Sequence, residues 1–379
     1  MMSSAAKFGF LSSAAPTPCG IATFTNALGL ALANQGSEVR VVRVLDVPEQ
    51  NSLSQIPVVA QLVASDSSSV ERAIDALNAC DVAFIQHEYG LYGGPDGTDV
   101  LRVLEGLRVP TIAILHTVLP LPTAHQTAVL NAVIKSVDQV VVMTELAETT
   151  LRRVNQVGTM SVAVIPHGAA VATAMNRRSP AARPQLLTWG LIGPGKGIQW
   201  VIDAMAQLRD LRPAPLYVVA GRTHPKVLAY EGDIYRESLI QRVQANNLYN
   251  MVQFDNSYRD QPSLNTLIES ADVVILPYDS MEQATSGVLV DAIAAGRPVI
   301  ATAFPHAVEL LRSGAGIVVP HGDTTAFSRA IRRVICEPGL ALAMSAEARR
   351  LAPSLSWDAV ASQYRKLTNQ LVRKVGVGA

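Results

Sequence analysis

The stretch PYDSMEQATSGVLVD, from Pro277 to Asp291, brings together the residue types that hold a phosphorylated ligand. Val273 to Leu276 reads as a buried strand, and Val288, Leu289, Ala292 and Ala295 recur at helical spacing up to Gly296. The order is strand, polar loop, helix, strand. A helix starting near Ser286 leaves its first backbone N–H groups without intrahelical partners and turns the positive end of its dipole to the loop. A phosphate can therefore rest against Ser286, Gly287 and Val288. Gly287 has no side chain to keep an anion off the backbone. Asp291, one turn further in, offers a carboxylate to sugar hydroxyls, for example those of a ribose. The bland alternative is a serine cap followed by a solvated aspartate.

A second glycine-rich segment, GLIGPGKG from Gly190 to Gly197, also lies between a strand and a helix, where phosphate loops form. Neither its spacing nor the residue after Lys196 fits a Walker loop. In the first half of the chain, polar residues gather where strands end: Gln86-His87-Glu88, His116-Thr117, Thr144-Glu145 and His167-Gly168. Ligands of open α/β sheets bind outside the carboxyl ends of strands. A single strand-end histidine is more often structural; three in equivalent places point to a site.

The run SGVLVDAIAAGRPVIAT, from Ser286 to Thr302, preceded by Pro-Tyr and an acidic loop, resembles the nucleotide-sugar segment of the retaining, family-four glycosyltransferases of the GT-B fold. In that family a Glu, seven residues and a second Glu handle the donor, the second holding the ribose and the first lying near the sugar. The second position is Asp291 here. Counting eight back reaches Gln283, with Glu282 one residue earlier, so the first role is divided between Glu282 and Gln283. The segment from Gly190 resembles the family's Gly-Arg-Leu, three residues, Lys-Gly, whose Arg and Lys hold the donor diphosphate. Lys196 matches the Lys, and Leu191 stands where the Arg would be. A leaving diphosphate needs a further cation; Arg222, after the next strand, is the candidate and Lys226 the runner-up. The resemblance also implies that Gly20 in the first loop faces the donor, that His116 approaches the donor sugar and the reaction centre, and that His87 and Glu88 line the acceptor side.

The elements that must position these residues alternate as α/β. The 379 residues suit two domains, and 49% hydrophobic with 16% charged residues suits parallel sheets buried on both faces. Strands are expected at 8–11, 38–44, 82–86, 111–115, 139–143, 162–165, 186–189, 216–220, 252–254, 273–276 and 317–319. The intervening helices include 20–34, 98–107, 197–209, 234–246 and 262–270. The segment 169–184, small residues and proline without periodicity, reads as the junction. The fold class is thus α/β, GT-B, with two doubly wound, Rossmann-like domains facing across a cleft. The domains expected are 1–172 on the acceptor side, 173–355 for the nucleotide sugar, and a final helix in 356–379 that crosses back to the first domain, with Trp357 and Tyr364 as packing residues.

Lys and Arg equal Asp and Glu at 31 each, and no basic stripe alternates with aromatics, so nucleic acid is excluded as a partner. Cys19, Cys80 and Cys336 are scattered and odd in number, which argues against a disulfide framework or a zinc site and for a cytoplasmic location. No apolar run is long enough to span a membrane. The helix near 125–136 carries one lysine, so stable membrane insertion is not expected, and peripheral association is left open.

The resemblance implies transfer of a hexosyl group from a UDP- or GDP-sugar to an acceptor hydroxyl of a carbohydrate or glycoconjugate, with retained anomeric configuration. The chain has no Asp-X-Asp, so no metal and no other cofactor is expected, and cationic side chains plus a helix dipole must stabilise the leaving group. A sugar-nucleotide epimerase or phosphorylase could share the architecture. A non-catalytic two-domain sugar-binding protein would share the alternation but would need export and no phosphate loop.

Overall fold

The computed structural model describes residues 5–17, 19–49, 54–64, 66–171, 183–257, 259–337 and 339–377. The chain forms two compact units: Met1–Gly168 with Trp357–Ala379, and Ala169–Ser356. The junction expected at 172/173 lies outside the described residues.

The first unit carries seven strands: β1 (Lys7–Ser12), β2 (Glu38–Leu45), β3 (Val58–Val63), β4 (Val82–His87), β5 (Thr111–Leu115), β6 (Gln139–Val142) and β7 (Val162–Val164). They form one parallel sheet in the order β3-β2-β1-β4-β5-β6-β7. The central strands are buried almost throughout because both faces are covered. Phe8, Phe10, Val82, Phe84, Ile112 and Ile114 point to one face, under the helix Gly20–Asn34 and the final helix Trp357–Val377. Tyr364 and Trp357 of the final helix lie edge-on to Phe84 and Phe24, so both are packing residues.

The second unit carries β8 (Gln185–Trp189), β9 (Leu216–Ala220), β10 (Val252–Asp255), β11 (Val273–Leu276), β12 (Val299–Thr302) and β13 (Gly316–Val319). All pairings are parallel, in the order β10-β9-β8-β11-β12-β13. Alternate residues enter two separate cores: Leu186, Val219, Val273 and Ile275 one, Leu187, Val218, Val274 and Leu276 the other. That is the two-sided burial a strand period of two produces in a doubly wound sheet. The entering and leaving chains of this unit meet, with Ala169 N donating to Leu355 O at 2.8 Å.

Four elements depart from the expected pattern. β3 is an additional edge strand, half exposed, so its apolar residues do not form a buried run. Helices at Pro225–Glu231 and Pro305–Leu311 begin with a proline. Proline reads as a breaker, yet at the first helical position it removes only an N–H that would have no partner. The helix expected over 98–107 is the short Val100–Leu104 after a turn at Pro95–Gly97. Among the described residues no helix is long and apolar enough to cross a membrane.

Candidate active site

In both sheets the strand order reverses beside the first strand, between β1 and β4 and between β8 and β11. At such switch points the connections leave in opposite directions and open a crevice at the strands' carboxyl ends. In the second unit the segment after β8 is Gly190–Gly197 and the one after β11 is Pro277–Ser286. The two phosphate-type loops are therefore neighbours.

They are also fastened together. Gly197 has φ +63°, caps the helix Ile198–Ala206, and leaves no room for a Cβ, which would collide with the Pro277 carbonyl. Asp279 N donates to Gly195 O at 2.8 Å. Lys196 lies with Nζ 4.5 Å from the centroid of the Tyr278 ring, and burial lowers its pKa. No carboxylate pairs with it among the described residues.

Ser286 caps the helix Gly287–Ala294, its Oγ accepting from Leu289 N at 3.2 Å. Its own N–H donates to Nδ1 of buried His306 at 2.8 Å. His306 N in turn donates to Gln283 O at 3.4 Å. Gln283 is half-buried and turned onto its own loop, Nε2 donating to Thr285 O, while Glu282 is exposed. Asp291 lines a cavity of about 120 Å³ with Asn265, Ile268 and Glu269, and burial pushes its carboxyl up to about 7.

Arg222 and Lys226 follow β9. The Arg222 backbone is tied to the first loop, Ile192 N donating to Arg222 O at 2.8 Å. Its exposed side chain donates from Nε to Asn256 O, after β10, on the side of β9 away from β8. Beneath this turn lies a cation that sequence reasoning missed: Arg236 is buried, Nη2 donates to Gly221 O, and Nη1 has no partner. His306 was missed as well; its signal is a histidine four residues after Thr302, just past the end of the strand next to β11.

In the first unit His87, Glu88 and His116 meet at the ends of β4 and β5. His116 N donates to His87 O, and the His116 Nε2 lies 2.6 Å from Gln86 Oε1. Burial lowers His116 to about 3, with His167 and His87 adding to the effect, and lowers His87 to about 4. Burial thus favours the neutral form of both rings. Nδ1 of His87 and Nε2 of Gln86 are buried with no hydrogen-bond partner among the described residues. Glu88 accepts from the Thr117 hydroxyl and from Tyr89 N, and burial raises its pKa.

The remaining strand-end residues are structural. Thr144 caps the helix Glu145–Val154, and His167 donates from Nδ1 to Gly168 O while packing on Phe24 and Trp357. Gly20 begins its helix with open space where a Cβ would stand, so nothing in the protein itself requires a glycine there.

Residues 183–337, which include Lys196, Arg222, Glu282, Gln283, Ser286 and Asp291, match the family model described as Glycosyl transferases group 1. The whole chain is similar in fold to solved glycosyltransferases. Sucrose-phosphate synthase from Thermosynechococcus elongatus superposes with a TM-score of 0.77 at 21% identity, covering 97% of this chain and 100% of that one. HepE from Anabaena, in complex with UDP and glucose, gives 0.76 at 16% identity, covering 96% and 99%. A UDP-forming α,α-trehalose-phosphate synthase from Burkholderia xenovorans gives 0.71 at 13% identity, covering 97% and 99%. No curated protein matches the chain. The fold is GT-B, and the match to the group 1 glycosyltransferase model lies within its second unit.

Proposed function

We propose that the protein is a retaining glycosyltransferase that moves a hexosyl group from a UDP- or GDP-sugar to an acceptor hydroxyl without a metal ion. The observation that carries this reading is the pairing of two anion loops at the β8/β11 switch point. One presents a lysine with no carboxylate partner; the other presents a helix N-terminus with Asp291 one turn behind. A diphosphate is met by Lys196 and by the amides of Gly287 and Val288 behind the Ser286 cap, whose own N–H is taken by His306, and Asp291 accepts from the ribose.

As the sugar–phosphate bond breaks, negative charge grows on the diphosphate, and fixed cations and amides stabilise it without reorganising. Arg222 or Lys226 adds the cation that Leu191 cannot supply. Either Glu282 or Gln283 lies against the departing sugar. Gly20 gives the donor access to the first loop, His116 hydrogen-bonds the sugar, and the neutral His87 with Glu88 receives the acceptor hydroxyl. HepE crystallised with UDP and glucose supports a uridine donor as the first to try. Among the described residues no group of three or more His, Cys, Asp or Glu is placed to hold a metal ion. A cytoplasmic enzyme acting on a carbohydrate or glycoconjugate fits the three free cysteines.

The test is a panel of UDP- and GDP-sugars, each with and without EDTA, read as nucleotide release and product anomer. Release that persists in EDTA with the donor's anomeric configuration in the product is expected. Loss of turnover in EDTA overturns the metal-independent mechanism, an inverted product overturns retention, and no nucleotide binding at all overturns the class.

A further inference from the structure

Lys196 is a half-buried cation whose neighbour is an aromatic ring. A lysine that leaves water normally gains a carboxylate, which makes up for the lost hydration but also cancels the charge toward any other anion. An aromatic face attracts an ammonium through its quadrupole and cancels nothing. Tyr278 is itself firmly held: it is 2% exposed, its ring packs on Phe304 at 5.1 Å between centroids, and its carbonyl accepts from Thr302 Oγ1 at 2.6 Å. Its hydroxyl feels the side chain of Ser286, the cap of the other anion loop, which partly offsets the rise that burial gives its pKa.

We infer that Tyr278 is a positioning residue of the donor site, holding the Lys196 ammonium over its ring so that the full charge stays available to a nucleoside diphosphate. The inference rests on the donor reading above and adds to it the residue that aims the lysine. The ring faces Lys196 and the hydroxyl is the side chain's only polar atom, so the two contributions can be separated by substitution.

The experiment compares Tyr278→Phe and Tyr278→Leu in the full chain. Two measurements are made: calorimetric affinity for UDP and for uridine, and, without ligand, the rate at which an amine-acylating reagent modifies Lys196, read by peptide mass spectrometry. Tyr278→Leu is expected to weaken UDP about 3- to 30-fold while uridine changes less than about twofold, the range a desolvated cation–ring contact supports. Its Lys196 should acylate several-fold faster at pH 8, because the charged amine has lost its support. Tyr278→Phe keeps the ring and should stay near the native protein in both measurements.

A Tyr278→Leu protein with native UDP affinity and native lysine reactivity overturns the inference. So does one that loses UDP and uridine equally, which marks a packing role, or a Tyr278→Phe protein as impaired as Tyr278→Leu, which assigns the effect to the hydroxyl. A native protein that binds neither UDP nor uridine sinks the nucleotide reading instead, and the acylation series still decides whether the ring holds the ammonium.

Discussion

The backbone N–H of Ser286 donates to Nδ1 of His306 across 2.8 Å, and this fixes where the proton sits on the His306 ring. A backbone N–H can only donate, so Nδ1 is the bare nitrogen and Nε2 carries the hydrogen. The histidine thereby satisfies one donor at the start of the helix that faces the donor loop. His306→Ala leaves that buried N–H without a partner, a loss of about 1 to 3 kcal/mol. We expect a lower Tm and weaker UDP binding. His306→Asn, whose Oδ1 can stand in for Nδ1, should recover most of both, and equal damage from the two substitutions would show that the ring's bulk matters more than its acceptor.

Asp291 gives a pH signature. Its folded-state pKa of about 7 lies above the ordinary 3.8, so the folded protein holds this proton more tightly than the unfolded chain does. The associated stability is complete below about pH 4 and is lost as pH rises through about 7. Asp291→Asn should therefore raise Tm at pH 8 and converge with the native protein near pH 4. Donor binding runs the other way, because the carboxylate is the better acceptor: UDP affinity should rise from pH 6 to pH 8. In Asp291→Asn it should be flat and about 10- to 100-fold weaker, as for loss of a hydrogen bond to a charged group. His87 and His116 titrate near 4 and 3, so an acid limb of turnover near pH 7 belongs to Asp291 and not to them.

Arg222 is the direct test of the missing cation. Its exposed side chain donates to Asn256 O at 3.4 Å, a longer contact than the paired, charge-assisted bonds that an arginine makes to a diphosphate. Arg222→Ala is expected to lower turnover by about 10²-fold, the scale for removing one electrostatic donor, with Arg222→Lys recovering part. Normal turnover in Arg222→Ala moves the role to Lys226, whose alanine variant should be assayed beside it.

How much could be read without coordinates depended on which residues carried the signal. β5, β9 and β11 and the helix Gly20–Asn34 begin and end where the pattern put them, because buried runs bounded by glycine or polar residues leave little choice. β3 escaped because an edge strand with one face in solvent has no such run. The group 1 segment was legible in the residues from Ser286 to Thr302 and is the part the family model matches. The contacts of Lys196 with Tyr278 and of Ser286 with His306 were not legible, since each joins residues from different loops that only the parallel order β8-β11-β12 makes neighbours. Nor could the sequence show that the Arg222 side chain turns toward β10.

The meeting of Ala169 with Leu355 and Ser356 means that the second unit is one unbroken length of chain, whereas the first is made of two pieces separated by it. The piece that arrives last, Trp357–Val377, supplies the side chains packed on Phe24 and Phe84. During synthesis the order of folding is then reversed from the usual N-terminal-first sequence. The nucleotide half can close as soon as Ser356 has left the ribosome, while the half made first must wait, its helix Gly20–Asn34 uncovered, for the final helix. Nascent chains stalled on an appended linker so that residue 356 but not the final helix has emerged should therefore resist protease in 183–356 and be cut within 1–168, and chains stalled with residue 377 fully emerged should resist in both. A newborn chain of this protein is most in need of a chaperone at its beginning, and for nearly the whole time of its translation.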